Sequence, residues 1–251
     1  MKDLPLVTIL TVTNNSEKTI KRAIESVLNQ TYSCIEYIIV DNLSKDKTIE
    51  NANEYVSMFE EKNYVYKIIS EADKGMYDAL NKGAQIATGD IVGQINSDDW
   101  YEANAVSEIV NLFETTNCDM GYADIRMIAG DGSSWIKKAK VDKFVNTRHW
   151  NHPTQFVKRK LLIEHPYQCK CMSDDLDFML WVRRNKYKVS TLNKVIANFT
   201  LSGMSHTKSF KDINNRIYTK TKIYLQNGYS LLHFFDVFVI EWGKFILELK
   251  K

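Results

Sequence analysis

Proline and glycine are scarce in this chain, 3 and 10 of 251 residues, and no stretch is repetitive or of low complexity. That excludes collagen-like, linker-rich and disordered architectures and leaves a folded domain long enough to bury its own core. Cysteine is sparse too. Cys34, Cys118, Cys169 and Cys171 form no disulfide framework in a chain of this size. Cys169 and Cys171 make a C-x-C with His165 nearby, but no second ligand pair follows at the spacing a structural zinc requires. The amino-terminal MKDLPLVTILTV runs straight into a strand pattern, with no basic region leading into an apolar segment and cleavage site. The expected location is the reducing cytoplasm. Phosphate loops are missing as well. Thr13-Asn14-Asn15-Ser16 is not G-x-G-x-x-G, and G-x-x-x-x-G-K-[ST] occurs nowhere, which excludes a dinucleotide fingerprint and a P-loop. The glycine-rich basic loop with which a nucleotidyltransferase would hold a triphosphate is absent from the same place.

What is present is an ordinary globular composition, 44% apolar and 25% charged, with charge distributed unevenly. Residues 1–126 carry 21 Asp and Glu against 11 Lys and Arg, and residues 127–251 carry 10 against 22. An acidic half suits a metal site; a basic half suits an anionic partner such as a membrane surface or a lipid phosphate. No nucleic-acid partner is expected. Apolar, β-branched runs at 6–12, 35–40, 64–70 and 91–95 read as strands buried in a parallel sheet. They alternate with helical patterns: Ile20, Ile24, Val27 and Leu28, with Ser16 as cap; Ile49, Ala52, Val56 and Phe59; and Met76, Ala79, Leu80 and Ala84. The alternation predicts an α/β, Rossmann-like, predominantly parallel central sheet flanked by helices. Further on, 102–113 reads as a helix, 118–125 as a strand, Gly130-Asp131-Gly132 as a hairpin turn, 156–158 as a short strand and 188–200 as paired strands.

The chain is organised around Ser70 to Tyr101. One strand releases Glu71-Ala72-Asp73, the next releases Asn96-Ser97-Asp98-Asp99, and a helix lies between. Open α/β sheets bind ligands beyond the carboxyl ends of their strands, so these acidic loops converge on one crevice. Carboxylates crowded in this way resist full ionisation unless a cation sits among them. Hard oxygen ligands suit Mg²⁺ or Mn²⁺, and Mg²⁺ favours few protein carboxylates with substrate phosphates completing its shell. The stretch therefore reads as a metal-diphosphate site.

The order of these motifs resembles the family 2 glycosyltransferases with a GT-A fold. It runs from Val7–Asn15 through Ile39-Val40-Asp41-Asn42 with Ser44 and Asp46. It continues with Ser70-Glu71-x-Asp73-Lys74-Gly75-x-Tyr77-Asp78-Ala79-x-Asn81-x-Gly83, Ala87-Thr88-Gly89-Asp90 and Asn96-Ser97-Asp98-Asp99. The resemblance spans roughly residues 5 to 200. It implies an inverting transferase that uses a nucleoside-diphosphate sugar, usually a UDP-sugar, and a divalent metal. Carried over by position, Asp41 faces the base, Asp73 lies beside nucleotide and sugar, and Asp98 with Asp99 forms the metal element, Asp99 being the metal contact. Thr13, Asn15, Gly75, Asp78, Asn81 and Asp98 join the nucleotide-sugar set. At Asn42-Leu43 the chain departs from the family's usual small or acidic residue and Gly. The expected organisation is a GT-A catalytic domain over 1–205, divided into a nucleotide-sugar half (5–125) and an acceptor half (126–205), with a helical extension over 206–251.

Glycosyl transfer also needs a carboxylate to take a proton from the incoming hydroxyl. Asp174, Asp175 and Asp177 open an amphipathic helix, more acid than a cap requires. The resemblance implies that such a pair supplies the base; Asp175 is the expected base and Asp174 the alternative. His152, in Asn151-His152-Pro153-Thr154-Gln155, resembles an acceptor-side residue, and Gln155 and Asp124 are expected on that side. His206 is a candidate for a further metal or phosphate contact. Within 230–249 the sequence is very apolar yet holds Asp236, Glu241, Lys244 and Glu248 in one broad sector, which suits a helix lying in an interface rather than crossing a membrane. The expected acceptor is a saccharide or lipid-linked hydroxyl in surface-polysaccharide or glycolipid assembly, with peripheral contact to the inner face of the cell membrane. A non-catalytic nucleotide-sugar-binding scaffold is the alternative.

Overall fold

Strands β1 (Val7–Thr13), β2 (Ile35–Asp41), β3 (Val65–Ser70) and β4 (Ile91–Gln94) lie parallel in the order β3-β2-β1-β4. The computed structural model describes residues 4–201 and 209–249. Helices α1 (Ile20–Leu28), α2 (Thr48–Asn53), α3 (Val56–Glu61) and α4 (Met76–Ile86) connect these strands. Because side chains alternate across a strand, Ile35, Tyr37 and Ile39 of β2 join one core and Ile38 and Val40 the other. Both faces are covered, which is why these runs are continuously apolar. Chain order reverses at β1, with β2 on one side and β4 on the other, and a ligand crevice forms at such a switch point.

The remaining elements are β5 (Trp100–Tyr101), α5 (Ala105–Thr116), β6 (Met120–Ile128), β7 (Ser134–Lys137), a 3₁₀ turn (His152–Thr154), β8 (Phe156–Lys158), α6 (Arg159–Glu164), α7 (Asp174–Arg184), β9 (Val189–Thr200), α8 (Phe210–Gln226) and α9 (His233–Leu249). They continue the same sheet as β4-β8-β6-β9-β5, with β7 paired to β6. β8 runs antiparallel to β4, with Phe156 opposite Gly93. The start of β8 therefore meets the end of β4, and the residues just before β8 are delivered to the ligand edge of the sheet. A Cβ on Gly93 would lie 2.2 Å from the Phe156 ring, so glycine is needed for this close approach.

Three local expectations are corrected. Ser16 does not cap α1 with its side chain; the N-cap is Thr19, and the backbone carbonyl of Ser16 accepts from Ile20. The helix expected across Ile49 to Phe59 breaks in two. The Ala52 carbonyl accepts from the Tyr66 hydroxyl at 2.9 Å and from Tyr55 N at 3.3 Å, closing a tight turn where the helix would continue. Finally, residues 189–200 form one strand, not a pair. Its register on β6 steps from Leu192 to Val195 across Asn193-Lys194, a bulge whose polar residues read as a turn.

Candidate active site

The loops after β1, β2 and β3 are sewn together. Asn15, at φ 51°, accepts Lys45 N on its side chain, while its own N–H donates to Ser44 Oγ. Asp41 is fully buried at the end of β2. Its carboxylate accepts from Ser70 Oγ at 2.6 Å, Ser44 N at 3.0 Å and Ser44 Oγ. It therefore clasps the base-side loop rather than opening onto the crevice. Asn42, where the sequence departs from its family, accepts Asp73 N on its side chain at 3.0 Å and so positions that acid. Asp73 is half-buried and accepts Gly75 N at 2.7 Å. Gly75 has φ 115° and ψ 173°, a conformation essentially limited to glycine. Thr13 Oγ1 is buried without a hydrogen-bond partner among the described residues, an unsatisfied group at the strand edge where a ligand would lie.

Two members of the expected nucleotide-sugar set have other occupations. Asp78 accepts Lys74 N, capping the start of α4. Asn81 accepts Tyr167 N at 2.9 Å and donates to Tyr167 O at 2.7 Å. Both of its functions hold the loop that leads to α7, so it supports the acceptor side.

The adjacent acids after β4 differ sharply. Asp99 is fully buried and accepts Thr200 N at 2.9 Å and Asn96 Nδ2 at 3.1 Å. Burial, followed by the charge of Asp98, pushes its pKa up to about 7. Asp98 is half-buried, and its carboxylate accepts no hydrogen bond from a described residue. Its backbone carbonyl is held by Arg22 at 2.6 Å and by the Thr200 hydroxyl at 3.0 Å. The Arg22 guanidinium also lies 3.8 Å from the centre of the Trp100 ring. Ser16 and Ser97 share a hydroxyl hydrogen bond at 2.9 Å that ties this turn to the β1 loop. Asp99, the expected metal contact, thus has both oxygens engaged inside the protein. No group of three His, Cys, Asp or Glu side chains among the described residues is arranged to hold a metal. His206 lies outside the described residues.

Asp175 and His152, the expected base and acceptor-side residue, come together. His152 Nδ1 lies 3.5 Å from Asp175 Oδ2, and the Gln94 amide contacts the same ring at Nδ1 (3.2 Å) and at Nε2. Burial lowers the pKa of His152, against the opposing pull of Asp175, so the ring is neutral at pH 7. The Thr154 hydroxyl and Asn151 Nδ2 anchor this turn on Ala123 of β6. Burial and the Asp175 charge raise the Tyr77 phenol well above its ordinary pKa, leaving a protonated hydroxyl beside that carboxylate. The neighbouring acids are spent elsewhere. Asp174 is buried and accepts Lys170 N and Cys171 N, each at 3.0 Å, and Asp177 is bound to Asn227 and His165. Asp124, expected to face the sugar, is fully buried, paired with Lys138 and accepting Ala139 N, both at 2.7 Å. Gln155 is buried and accepts Trp150 Nε1 at 3.0 Å. Sequence reasoning missed Gln94. Its signal was a polar side chain closing the apolar run Ile91-Val92-Gly93 at the ligand edge.

A doubly wound half continued by a mixed-strand half, with acidic turns at the shared edge, is the architecture of GT-A glycosyltransferases. The chain belongs to glycosyl transferase family 2, whose profile matches residues 8–174. The PGL/p-HBAD biosynthesis glycosyltransferase of Mycobacterium bovis is 26% identical over 225 residues, covering 87% of this chain and 86% of its own. Chondroitin synthase of Escherichia coli is 25% identical over 230 residues, 88% of this chain and 32% of that one. Among solved structures, S. aureus TarS 1-349 in complex with UDP-GlcNAc matches with a TM-score of 0.69 at 19% identity, covering 94% of this chain and 71% of that one. The mannosyltransferase PcManGT from Pyrobaculum calidifontis, in complex with GDP-Man and Mn²⁺, matches with a TM-score of 0.65 at 16% identity, covering 94% and 74%. These structural likenesses establish the fold.

Proposed function

We propose that this glycosyltransferase inverts configuration while moving a hexose or N-acetylhexosamine from a UDP-sugar to a hydroxyl of a saccharide or lipid-linked acceptor. The reading is supported above all by one arrangement. Asp175 faces His152, and His152 rests on Gln94 at the end of the strand that releases Asp98 and Asp99. The candidate base on α7 is thereby linked, through His152 and Gln94, to the strand that releases the acidic turn.

Asp175 would take the proton of the acceptor hydroxyl as its oxygen bonds to the anomeric carbon and the bond from that carbon to the diphosphate oxygen breaks. The neutral His152 ring lies against the Asp175 carboxylate, and the protonated Tyr77 hydroxyl, which donates to the Met172 carbonyl, stands nearby. Asp73, braced by Asn42, offers its second oxygen to the nucleotide-sugar, and Asp41 fixes the wall beneath the base through Ser44 and Ser70. Mg²⁺ or Mn²⁺, when bound, offsets the negative charge that gathers on the departing diphosphate. Asp98, half-buried and accepting no hydrogen bond from a described residue, fits a hard cation that takes few protein carboxylates and fills its shell with phosphate and water. Asp98 would hold it, and Asp99 would keep the turn in shape.

The test is donor recognition. Among a panel of nucleoside-diphosphate sugars with Mn²⁺, one UDP-sugar should raise the unfolding temperature by roughly 5–10 °C at about a hundredfold excess over Kd. No shift with any donor in either Mg²⁺ or Mn²⁺ would retire the proposal.

A further inference from the structure

Helix α9 is turned the opposite way from a helix on a water-facing surface. The polar sector holding His233 and Glu241 is buried, and the Asp236 side chain is only 15% exposed. Cations from other elements meet these acids: Lys220 Nζ lies 2.7 Å from Glu241, and Arg148 lies 3.3 Å from Asp236. The opposite sector faces outward and is apolar. Leu231, Leu232, Phe235, Phe238, Val239 and Ile246 recur at helical spacing and are 43–65% exposed. This row is about 22 Å long at 1.5 Å per residue. Phe210 of α8, itself largely exposed, packs against Trp242 and Phe245 and widens it. An aqueous surface does not leave a face of this kind uncovered.

We propose that this face seats in an anionic lipid bilayer, with α9 lying in the plane of the interface. No helix among the described residues is long and apolar enough to cross a membrane. A shallow seat needs an apolar face flanked by basic groups, and both are present. Residues 127–251 carry 22 Lys and Arg against 10 Asp and Glu. Beside the amino end of α9, Phe144 stacks on His233 with centroids 4.3 Å apart, and its neighbour Lys143 is exposed. Among the described residues the outward row holds no carboxylate. Charge decides between lipid and a second copy. Two copies joined through this row would bring two strongly cationic halves together, whereas an anionic headgroup layer attracts one. The proposal does not depend on which sugar is transferred or on the identity of the base.

Vesicle co-sedimentation without donor tests it. The chain should bind vesicles of phosphatidylcholine mixed with phosphatidylglycerol and bind vesicles of phosphatidylcholine alone far more weakly. Leu232→Ser combined with Phe235→Ser and Val239→Ser should lower the affinity on the order of a hundredfold, since each loses an apolar side chain from the seat. Lys143→Glu, away from the apolar row, should lower it about tenfold. Circular dichroism checks that the variants stay folded, and Asp175→Asn should bind vesicles like the parent. Equal binding by parent and triple variant would overturn the proposal. So would a parent that ignores vesicles but sediments as a dimer that the triple variant abolishes.

Discussion

Asp98 and Asp99 are neighbours of identical chemistry, and the fold gives them opposite situations. Asp99 spends both oxygens on Thr200 and Asn96 inside the protein, while Asp98 is only half-buried and its carboxylate accepts no hydrogen bond from a described residue. Asp98→Asn should therefore weaken Mn²⁺-dependent UDP binding by about tenfold or more, with little loss of stability. Asp99→Asn should cost about 1–3 kcal/mol of stability and leave metal dependence nearly unchanged. Calorimetric titration and thermal unfolding of both variants separate the roles, and a reversed pattern would restore Asp99 as the contact. The resemblance in sequence ranks Asp99 as the metal contact, and the engagement of its oxygens is not legible there, because it depends on Thr200, a hundred residues away. Asp174, Asp175 and Asp177 form the second acidic group, with Asp175 the expected base and Asp174 the alternative. Lys170, Cys171, His165 and Asn227 claim two of them, and none of those partners is legible from spacing. Asp124 looked like a sugar contact because it ends a strand, and the Lys138 that neutralises it comes from the far side of a hairpin.

Among the elements, the parallel strands were legible because burial on both faces demands continuous apolar runs. Glu36 is the exception within β2, and it clasps three neighbours. Fully buried, it accepts from Thr8 on β1 at 2.6 Å, from Lys67 on β3 at 2.8 Å and from Thr88 N at 2.7 Å. Burial pushes its pKa up, but the hydrogen bonds from Lys67, Thr8 and Thr88 outweigh this and leave it below its ordinary value. A carboxylate with a depressed folded pKa stabilises fully above its unfolded value, about 4.3, and loses that contribution as the pH falls through the folded value. Glu36→Gln should cost about 1–3 kcal/mol at pH 7, and its deficit against the parent should narrow below about pH 4. Urea unfolding at the two pH values reads this directly; a deficit that stays constant or widens in acid would contradict it. Elsewhere the periodicity misled. The apolar spacing from Ile49 to Phe59 continues through a break made by the Tyr66 hydroxyl, and a polar bulge at Asn193-Lys194 imitates a turn. For α9 the charged sector was visible in sequence, but its inward orientation depends on Lys220 and Arg148.

At the scale of the molecule, one sheet gathers both sets of candidate residues. Its parallel strands end in the loops that would hold the nucleotide, and antiparallel β8 brings His152 back to the end of β4. Asp175 arrives from α7, and the preceding loop is held by Asn81. Motif order made the parallel-strand half, where the nucleotide-sugar is expected, readable from sequence. The half expected to take the acceptor was less so, because its residues meet only through the reversal of strand direction between β4 and β8. The most direct test of the account is single-turnover transfer by Asp175→Asn at saturating UDP-sugar, alongside its metal-dependent UDP affinity. The account predicts a rate lower by about 10²- to 10⁴-fold with UDP affinity preserved. Transfer at the parental rate would contradict it.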